Sequence, residues 1–370
     1  MPLIWSAISA HGYGHAAQVI PVLNELGRRI PTLRIILRTN VPRHFFEARL
    51  TVPWELSPAQ MDIGCLQHGP LTMDWNATWQ AHRTFHATWQ TRLQEESAAI
   101  RESRADLVLG NIPYLAIAAG AAAGIPAVAL ASLNWEDILR EHVDPAQPWQ
   151  ALILEDMRRA YGQATLLLRI DPGLPMPAFP RAHDIGPIAA PLPPARTRIR
   201  RQLRIPDGDL LVLIAFGGIR LETLPFDRME AMPGIQFLID GSVPAHSQRV
   251  HSLAVLSERF STLLSSIDVI MTKPGYGTTI EAVAVGTPVV YVRRYHFADE
   301  EPIVTYLHRY GRGIELSRED FLQSRWEPAI RQALALPQQT TPPPACTGAT
   351  DAAAYLLPFL HNPTGAPCNS

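Results

Sequence analysis

Short runs of aliphatic and β-branched residues alternate along this chain with longer stretches in which apolar positions recur every three or four residues. The short runs fit strands buried on both faces and the longer stretches fit helices, so the alternation predicts βαβ units and parallel sheets. In the first half the pattern places strands at residues 3–9, 33–39, 106–110, 126–130 and 164–170. In the second half it places them at 209–216, 235–240, 268–272 and 288–292. Trp75, Trp79, His82, His86 and Trp89 follow one another at helical spacing and are expected to share one face, read as core packing.

Length turns this pattern into two domains. A chain of 370 residues that is 47% hydrophobic is long for one core and suits two doubly wound α/β, Rossmann-like domains facing across a cleft. The prolines of Ile188-Ala189-Ala190-Pro191-Leu192-Pro193-Pro194-Ala195 remove backbone donors and favour extended chain, which suits a connection. The expected domains are 1–194 and 195–340, followed by 341–370 as a proline-rich linker, a terminal helix and a loose tail.

Charge and cysteine content narrow the partners. Lysine plus arginine number 32 against 34 acids, so no net positive field attracts a nucleic-acid backbone. Cys65, Cys346 and Cys368 are odd in number and lack metal-ligand spacing, which predicts neither disulfide framework nor zinc site and fits reducing cytoplasm. No apolar stretch reaches the length of a membrane span, and the opening apolar run lacks the basic start of a secretory signal. The run Arg196, Arg198, Arg200, Arg201 and Arg204 reads as a solvated helix face, with peripheral membrane contact as the alternative.

Candidate chemistry gathers after the predicted strands, where loops enter helix N-termini with unpaired amides. His11-Gly12-Tyr13-Gly14-His15 follows the first strand, and its glycines let the backbone turn closely around a ligand. His15 in the first helical turn is favoured as neutral imidazole, a proton acceptor suited to general-base work, with His11 beside it. Phe216-Gly217-Gly218 and Lys273-Pro274-Gly275-Tyr276-Gly277-Thr278-Thr279-Ile280-Glu281 offer amides and a hydroxyl to a diphosphate. Glu281 can accept from ribose hydroxyls, although Thr278-x-x-Glu281 also reads as a capping box. Asp299, Glu300 and Glu301, beside Arg293 and Arg294, are suited to accept hydrogen bonds from sugar hydroxyls. His82 and His86 have metal-compatible spacing, but a third ligand is not evident, so no metal is expected.

These motifs, in this order, resemble those of the GT-B glycosyltransferases, particularly the family 28-like group that includes the lipid-linked N-acetylglucosamine transferase of peptidoglycan synthesis. The sequence is more closely similar to the glycosyltransferase-like amino-terminal half of plant L-arabinokinase, from about Ile4 to Pro337. That similarity runs through His11-Gly-Tyr-Gly-His15, Asn134-Trp135-Glu136-Asp137-Ile138, Leu168-Arg169-Ile170, Pro175-Met176-Pro177-Ala178-Phe179, Phe216-Gly-Gly218, Gly275-Tyr-Gly-Thr278 and Val292-Arg293-Arg294. The resemblance implies diphosphate binding by Gly217, Gly218, Gly275 and Thr278, ribose contact by Glu281, and sugar contact by Glu300 or Glu301. It further implies that Phe260 lies in the nucleobase loop and that His15 stands in the place of the base. Asn111 occupies a position where related sequences often carry aspartate, and the galactokinase-like half is absent from this sequence, so kinase activity is not implied.

The sequence therefore predicts a glycosyltransferase that takes a nucleotide-diphosphate sugar, UDP-linked, to an unknown acceptor hydroxyl on a glycan, lipid or small molecule. The mechanism is inverting, with a His base and no metal. Two rivals remain open: a non-catalytic nucleotide-sugar sensor, favoured by Asn111, and a nucleotide-sugar epimerase on the same fold.

Overall fold

The computed structural model describes residues 1–217 and 224–361. Gly218 and residues 362–370, expected as part of a diphosphate turn and as a loose tail, lie outside the described residues. The chain forms two compact units. One comprises Met1–Leu66, Asp74–Ile188 and the chain from Ala345 onward; the other comprises Gln67–Met73 and Ala189–Pro344. The longer segment of the second unit thus begins at Ala189, inside the proline stretch.

In chain order the first unit contains β1 (Leu3–Ile8), α1 (Gly14–Arg29), β2 (Arg34–Arg38), α2 (Arg43–Glu47) and β3 (Trp54–Ser57). A hairpin of β4 (Gln67–His68) and β5 (Thr72–Met73) then leaves for the second unit. The first unit resumes with α3 (Trp75–His86), α4 (Trp89–Ser103), β6 (Leu107–Asn111), α5 (Tyr114–Ala123), β7 (Ala127–Ala131), α6 (Trp135–Arg140), α7 (Pro148–Tyr161), β8 (Leu166–Ile170) and β9 (Ala182–Ile185). Its sheet runs β3-β2-β1-β6-β7-β8-β9, with every pair parallel. The central strands β1, β6 and β7 are buried along their whole length, as expected of a parallel sheet covered on both faces. The small-residue tract within α5 lets helix and sheet approach closely: a Cβ at Gly120 would lie 3.0 Å from Ala127 Cβ and Val108 Cγ2.

The second unit contains α8 (Arg196–Leu203), β10 (Leu210–Ile214), α9 (Phe226–Glu230), β11 (Ile235–Ile239), β12 (Val250–Ser252), α10 (Phe260–Leu264), β13 (Val269–Thr272), α11 (Tyr276–Val285), β14 (Val289–Tyr291), α12 (Glu300–Tyr310), β15 (Gly313–Glu315), α13 (Arg318–Leu322) and α14 (Glu327–Ala335). Its parallel sheet runs β12-β11-β10-β13-β14-β15. Val212, Phe237, Met271, Val290 and Trp326 form its core, joined by Leu71 from the hairpin. Arg318 Nη2 also donates to Thr72 Oγ1.

The last helix, α15 (Gly348–His361), returns to the first unit and packs on α1. Its entry is tight, since a Cβ at Gly348 would lie 2.1 Å from the Gly186 carbonyl oxygen. The aromatic stripe expected as one helix face is divided by the break at Ala87–Thr88. Trp75, Trp79, His82 and His86 lie on α3, and Trp89 opens α4. Trp79 and His82 are core, and His82 Nε2 hydrogen-bonds the Gly64 carbonyl. Within the arginine run, Arg196 and Arg200 pair with Asp268 and Arg198 with Glu258, so three of these five side chains are neutralised within the unit. Among the described residues no helix is long and apolar enough to cross a membrane.

Candidate functional site

In the first unit the site is built at the carboxyl ends of β1, β6 and β7. Gly12 sits at φ +74°, a conformation that favours glycine, and turns the chain from β1 into α1. A Cβ at Gly14 would meet nothing within 4 Å, and α1 has no side-chain cap. His15, in that first turn, is 8% exposed. Its Nδ1 lies 2.7 Å from Asn111 Oδ1 at the end of β6. Asn111 Nδ2 donates to Gln18 Oε1 at 2.9 Å, and Gln18 Nε2 donates to Ser132 Oγ at 3.0 Å.

In the orientation the structure gives these amides, the Asn111 nitrogen donates to Gln18 and its oxygen faces His15, an arrangement that places the proton on His15 Nδ1. The Nε2 lone pair makes no hydrogen bond among the described residues and is left available. Burial pushes His15 down to about 4, with the Asn111 bond opposing the shift, so the ring is neutral near pH 7.

A carboxylate that the sequence reading did not single out lies in the same cluster. Asp62 is buried, with Oδ1 accepting from Ser9 Oγ at 3.1 Å and Oδ2 from Trp135 Nε1 at 2.7 Å. Burial raises it to about 6. Trp135 meets both histidines edge-on, with ring centroids 5.2 Å from His11 and 5.6 Å from His15. Asn134 caps α6 by accepting from the Asp137 amide, which delivers fully buried Trp135 to this position. Half-buried His11 accepts at Nδ1 from the Cys65 amide. His11, His15, Asp62 and Trp135 are thus one connected group.

Buried titratable groups make the first unit's stability depend on pH. His15 and His82 both fall to about 4, chiefly through burial. The folded chain therefore binds fewer protons than the unfolded chain between about pH 4 and 6.5. The histidine contribution is full above 6.5 and is lost as pH falls towards 4. Asp62 acts oppositely, stabilising most at low pH. Each of these shifts corresponds to roughly 3 kcal/mol, so two histidines outweigh one aspartate. Urea unfolding followed by tryptophan fluorescence is expected to show a lower midpoint at pH 4.5 than at pH 7, with His82→Gln reducing the difference. An unchanged midpoint would contradict this balance.

In the second unit the candidate residues stand after β10, β13 and β14. Gly217 has φ +69°, and a Cβ there would lie 3.7 Å from Lys273 Cε. Gly275 is the N-cap of α11, without a side-chain cap, and Gly277 faces open space. The first intrahelical bond runs from the Thr279 amide to the Gly275 carbonyl, leaving the amides of Tyr276, Gly277 and Thr278 ahead of the hydrogen-bonded ladder. The capping box expected from Thr278-x-x-Glu281 is not formed, because the helix starts at Gly275 and Thr278 already lies inside it. Thr278 and Glu281 are half-buried on its first turns. Phe260, also half-buried, opens α10 after β12.

The three acids after β14 have unequal surroundings. Glu300 is buried and accepts from Arg294 Nε at 2.7 Å and from the Arg294 amide. Asp299 pairs with Arg294 Nη2 at 3.1 Å, and burial, reinforced by Glu300, raises it to about 7 against the pull of Arg294. Glu301 is exposed and pairs with Arg293 at 2.9 Å. The carboxylates of Asp299 and Glu300 are therefore already committed to Arg294. Tyr295 and His296 hold φ of 54° and 55°, so this loop contains two adjacent side chains in the left-handed region.

No family model matches the sequence. L-arabinokinase of Arabidopsis thaliana is 26% identical over 338 residues, covering 89% of this chain, and the chain spans 32% of that protein's length. The calicheamicin glycosyltransferase superposes with a TM-score of 0.62 at 18% identity, over 99% of this chain and 100% of that one. The chain has the GT-B glycosyltransferase fold. The two parallel-sheet units are the halves of that fold, as the sequence motifs implied. A GT-B neighbour, Phytolacca americana UGT2 complexed with UDP-2fluoro-glucose and pterostilbene, superposes at a TM-score of 0.59 with 14% identity, covering 98% of this chain and 94% of that one.

Proposed function

We propose that this protein transfers a sugar from a nucleoside-diphosphate sugar to an acceptor hydroxyl, with inversion and with His15 as general base. The acceptor O–H gives its proton to His15 Nε2 while its oxygen attacks the anomeric carbon. The bond from that carbon to the diphosphate oxygen breaks, and the diphosphate leaves with the electron pair. The amides of Gly277 and Thr278 at the start of α11, with that of Gly217, receive the developing charge. The observation that carries this reading is the His15–Asn111–Gln18–Ser132 chain, which dedicates Nδ1–H to the protein and leaves Nε2 as acceptor.

The donor assignment follows from the glycine-led helix start after β13 and from the UDP sugar held by a protein of the same fold. Glu281 would meet the ribose and Phe260 the base. Among the three acids, exposed Glu301 has the reach for a sugar hydroxyl that Glu300 lacks. The acceptor, whether glycan, lipid or small molecule, is chosen by contacts of the first unit. A cytoplasmic setting belongs to this reading, because the three cysteines of the sequence are odd in number and lack metal-ligand spacing.

A nucleotide-sugar sensor is the second reading, and it is favoured by Asn111, which orients His15 without the charge that would stabilise an imidazolium. Release of free nucleoside diphosphate from a panel of nucleotide sugars, with and without candidate acceptors, separates the two. Acceptor-dependent release is the expected result. Tight binding without release under any pairing would replace transferase with sensor, and inversion of the donor sugar without an acceptor would indicate epimerase chemistry.

A further inference from the structure

Lys273 is the single lysine of the chain; every other member of the 32 basic residues is arginine. In a sequence that otherwise uses arginine for positive charge, one position keeps an ammonium, and that position is buried. Lys273 is 9% exposed, directly follows β13, and stands two residues ahead of the N-cap of α11. Its Cε lies against the Gly217 turn after β10. Among the described residues its amine makes no hydrogen bond and no ion pair within 4.0 Å.

Three charged groups act on Lys273. Arg294, Asp299 and Glu300 come from the loop after β14 and the start of α12. Both acids direct oxygens to Arg294. Arg294 also repels a second cation, while the carboxylates of Asp299 and Glu300 attract it. Burial dominates this balance and brings Lys273 down to about 7.

Arginine cannot give up its proton in a protein, whereas a buried lysine can. A neutral amine tolerates the dry interior when the site is empty; an ammonium is strongly favoured once an anion arrives beside it. We propose that Lys273 is the counter-charge of the donor's diphosphate and that donor binding draws one proton from solvent onto its amine. This rests on the nucleotide-sugar reading and adds to it a coupling between donor binding and protonation. Gly217 stands at ordinary contact distance from the lysine stem, and the amides of Gly277 and Thr278 at the start of α11 supply the neutral part of the anion site. Affinity for a nucleoside diphosphate therefore falls as pH rises above about 7.

Because there is one lysine, the test reads a single side chain. Protein grown with lysine carrying carbon-13 at Cε gives one lysine ε-methylene signal, which is titrated alone, with UDP, with uridine and with inorganic pyrophosphate. The free protein is expected to titrate near 7. UDP and pyrophosphate should raise the midpoint by more than one pH unit, whereas uridine should leave it in place. Calorimetry in buffers of differing ionisation enthalpy should show proton uptake with UDP at pH 8, abolished in Lys273→Arg. Lys273→Met should weaken UDP at least tenfold without changing uridine. UDP binding with an unmoved lysine signal, or undiminished UDP affinity in Lys273→Met, overturns the proposal. Failure of every nucleotide to bind, with pyrophosphate still shifting the signal, would instead remove the nucleotide-sugar reading and leave an anion site governed by Lys273.

Discussion

Replacing His15 with alanine is expected to lower acceptor-dependent sugar transfer by roughly 10²–10⁴-fold in kcat, with UDP affinity held within about twofold. The reasoning follows from where its nitrogens are engaged. Nδ1 is committed to Asn111, so all proton-accepting capacity lies at Nε2, and removal of the ring removes it entirely. Donor contacts are expected from residues of the second unit, so binding of UDP should be spared. His15→Ala also frees Asn111 Oδ1 in a buried position, so native tryptophan fluorescence must accompany the kinetics to show that the unit remains folded. Asn111→Asp provides the complementary test. A carboxylate at that position favours imidazolium and should move the acid limb of the kcat/KM profile to higher pH while activity persists. Near-wild-type turnover in His15→Ala would remove the general base from the mechanism.

Arg294→Met is expected to destabilise the second unit by roughly 3–5 kcal/mol, the largest single-site effect outside its apolar core. Arg294 is buried with Asp299 and Glu300, also buried, and its guanidinium is stacked 3.8 Å from the Phe297 ring centroid. Taking the cation away leaves two buried carboxylates facing each other with Lys273 as the remaining positive group. The double replacement Arg294→Met with Glu300→Gln should lose less than Arg294→Met alone, because one uncompensated charge has gone with it. Urea unfolding of the variants measures both. Equal loss in the single and double replacements would mean that the arginine acts by packing and not by charge.

The central architecture was legible because β1, β6, β7, β10, β11, β13 and β14 are dominated by apolar residues, and only a covered parallel sheet requires that. The edge strands were not: β9 is Ala-His-Asp-Ile and β15 is Gly-Ile-Glu, too short and too polar to stand out from loops. The hairpin β4–β5 is shorter still, and its one apolar anchor, Leu71, carries no period. In the site, His15 and the glycine turns announced themselves by residue type and position. Asp62 did not, since its meaning comes from Trp135, 73 residues away in sequence, and from a tryptophan N–H that needs a buried acceptor. The acids at 299–301 were legible as a cluster, but spacing could not tell which of them Arg294 would claim. Lys273 was legible as the first residue of the glycine motif after β13, but motif reading took its meaning from the amides and hydroxyl and not from its being the one lysine of the chain.

Each unit is completed by a piece of chain taken from elsewhere: residues 67–73 serve the second, and α15 serves the first. A chimera spliced at the proline stretch would therefore inherit a hairpin and a terminal helix matched to the wrong partners. With Gly348 set against the Gly186 carbonyl and Leu71 seated among the second unit's strands, small mismatches at either graft would be felt at once. Exchanging acceptor and donor preferences between relatives requires that these two segments travel with the unit they complete and not with their neighbours in sequence.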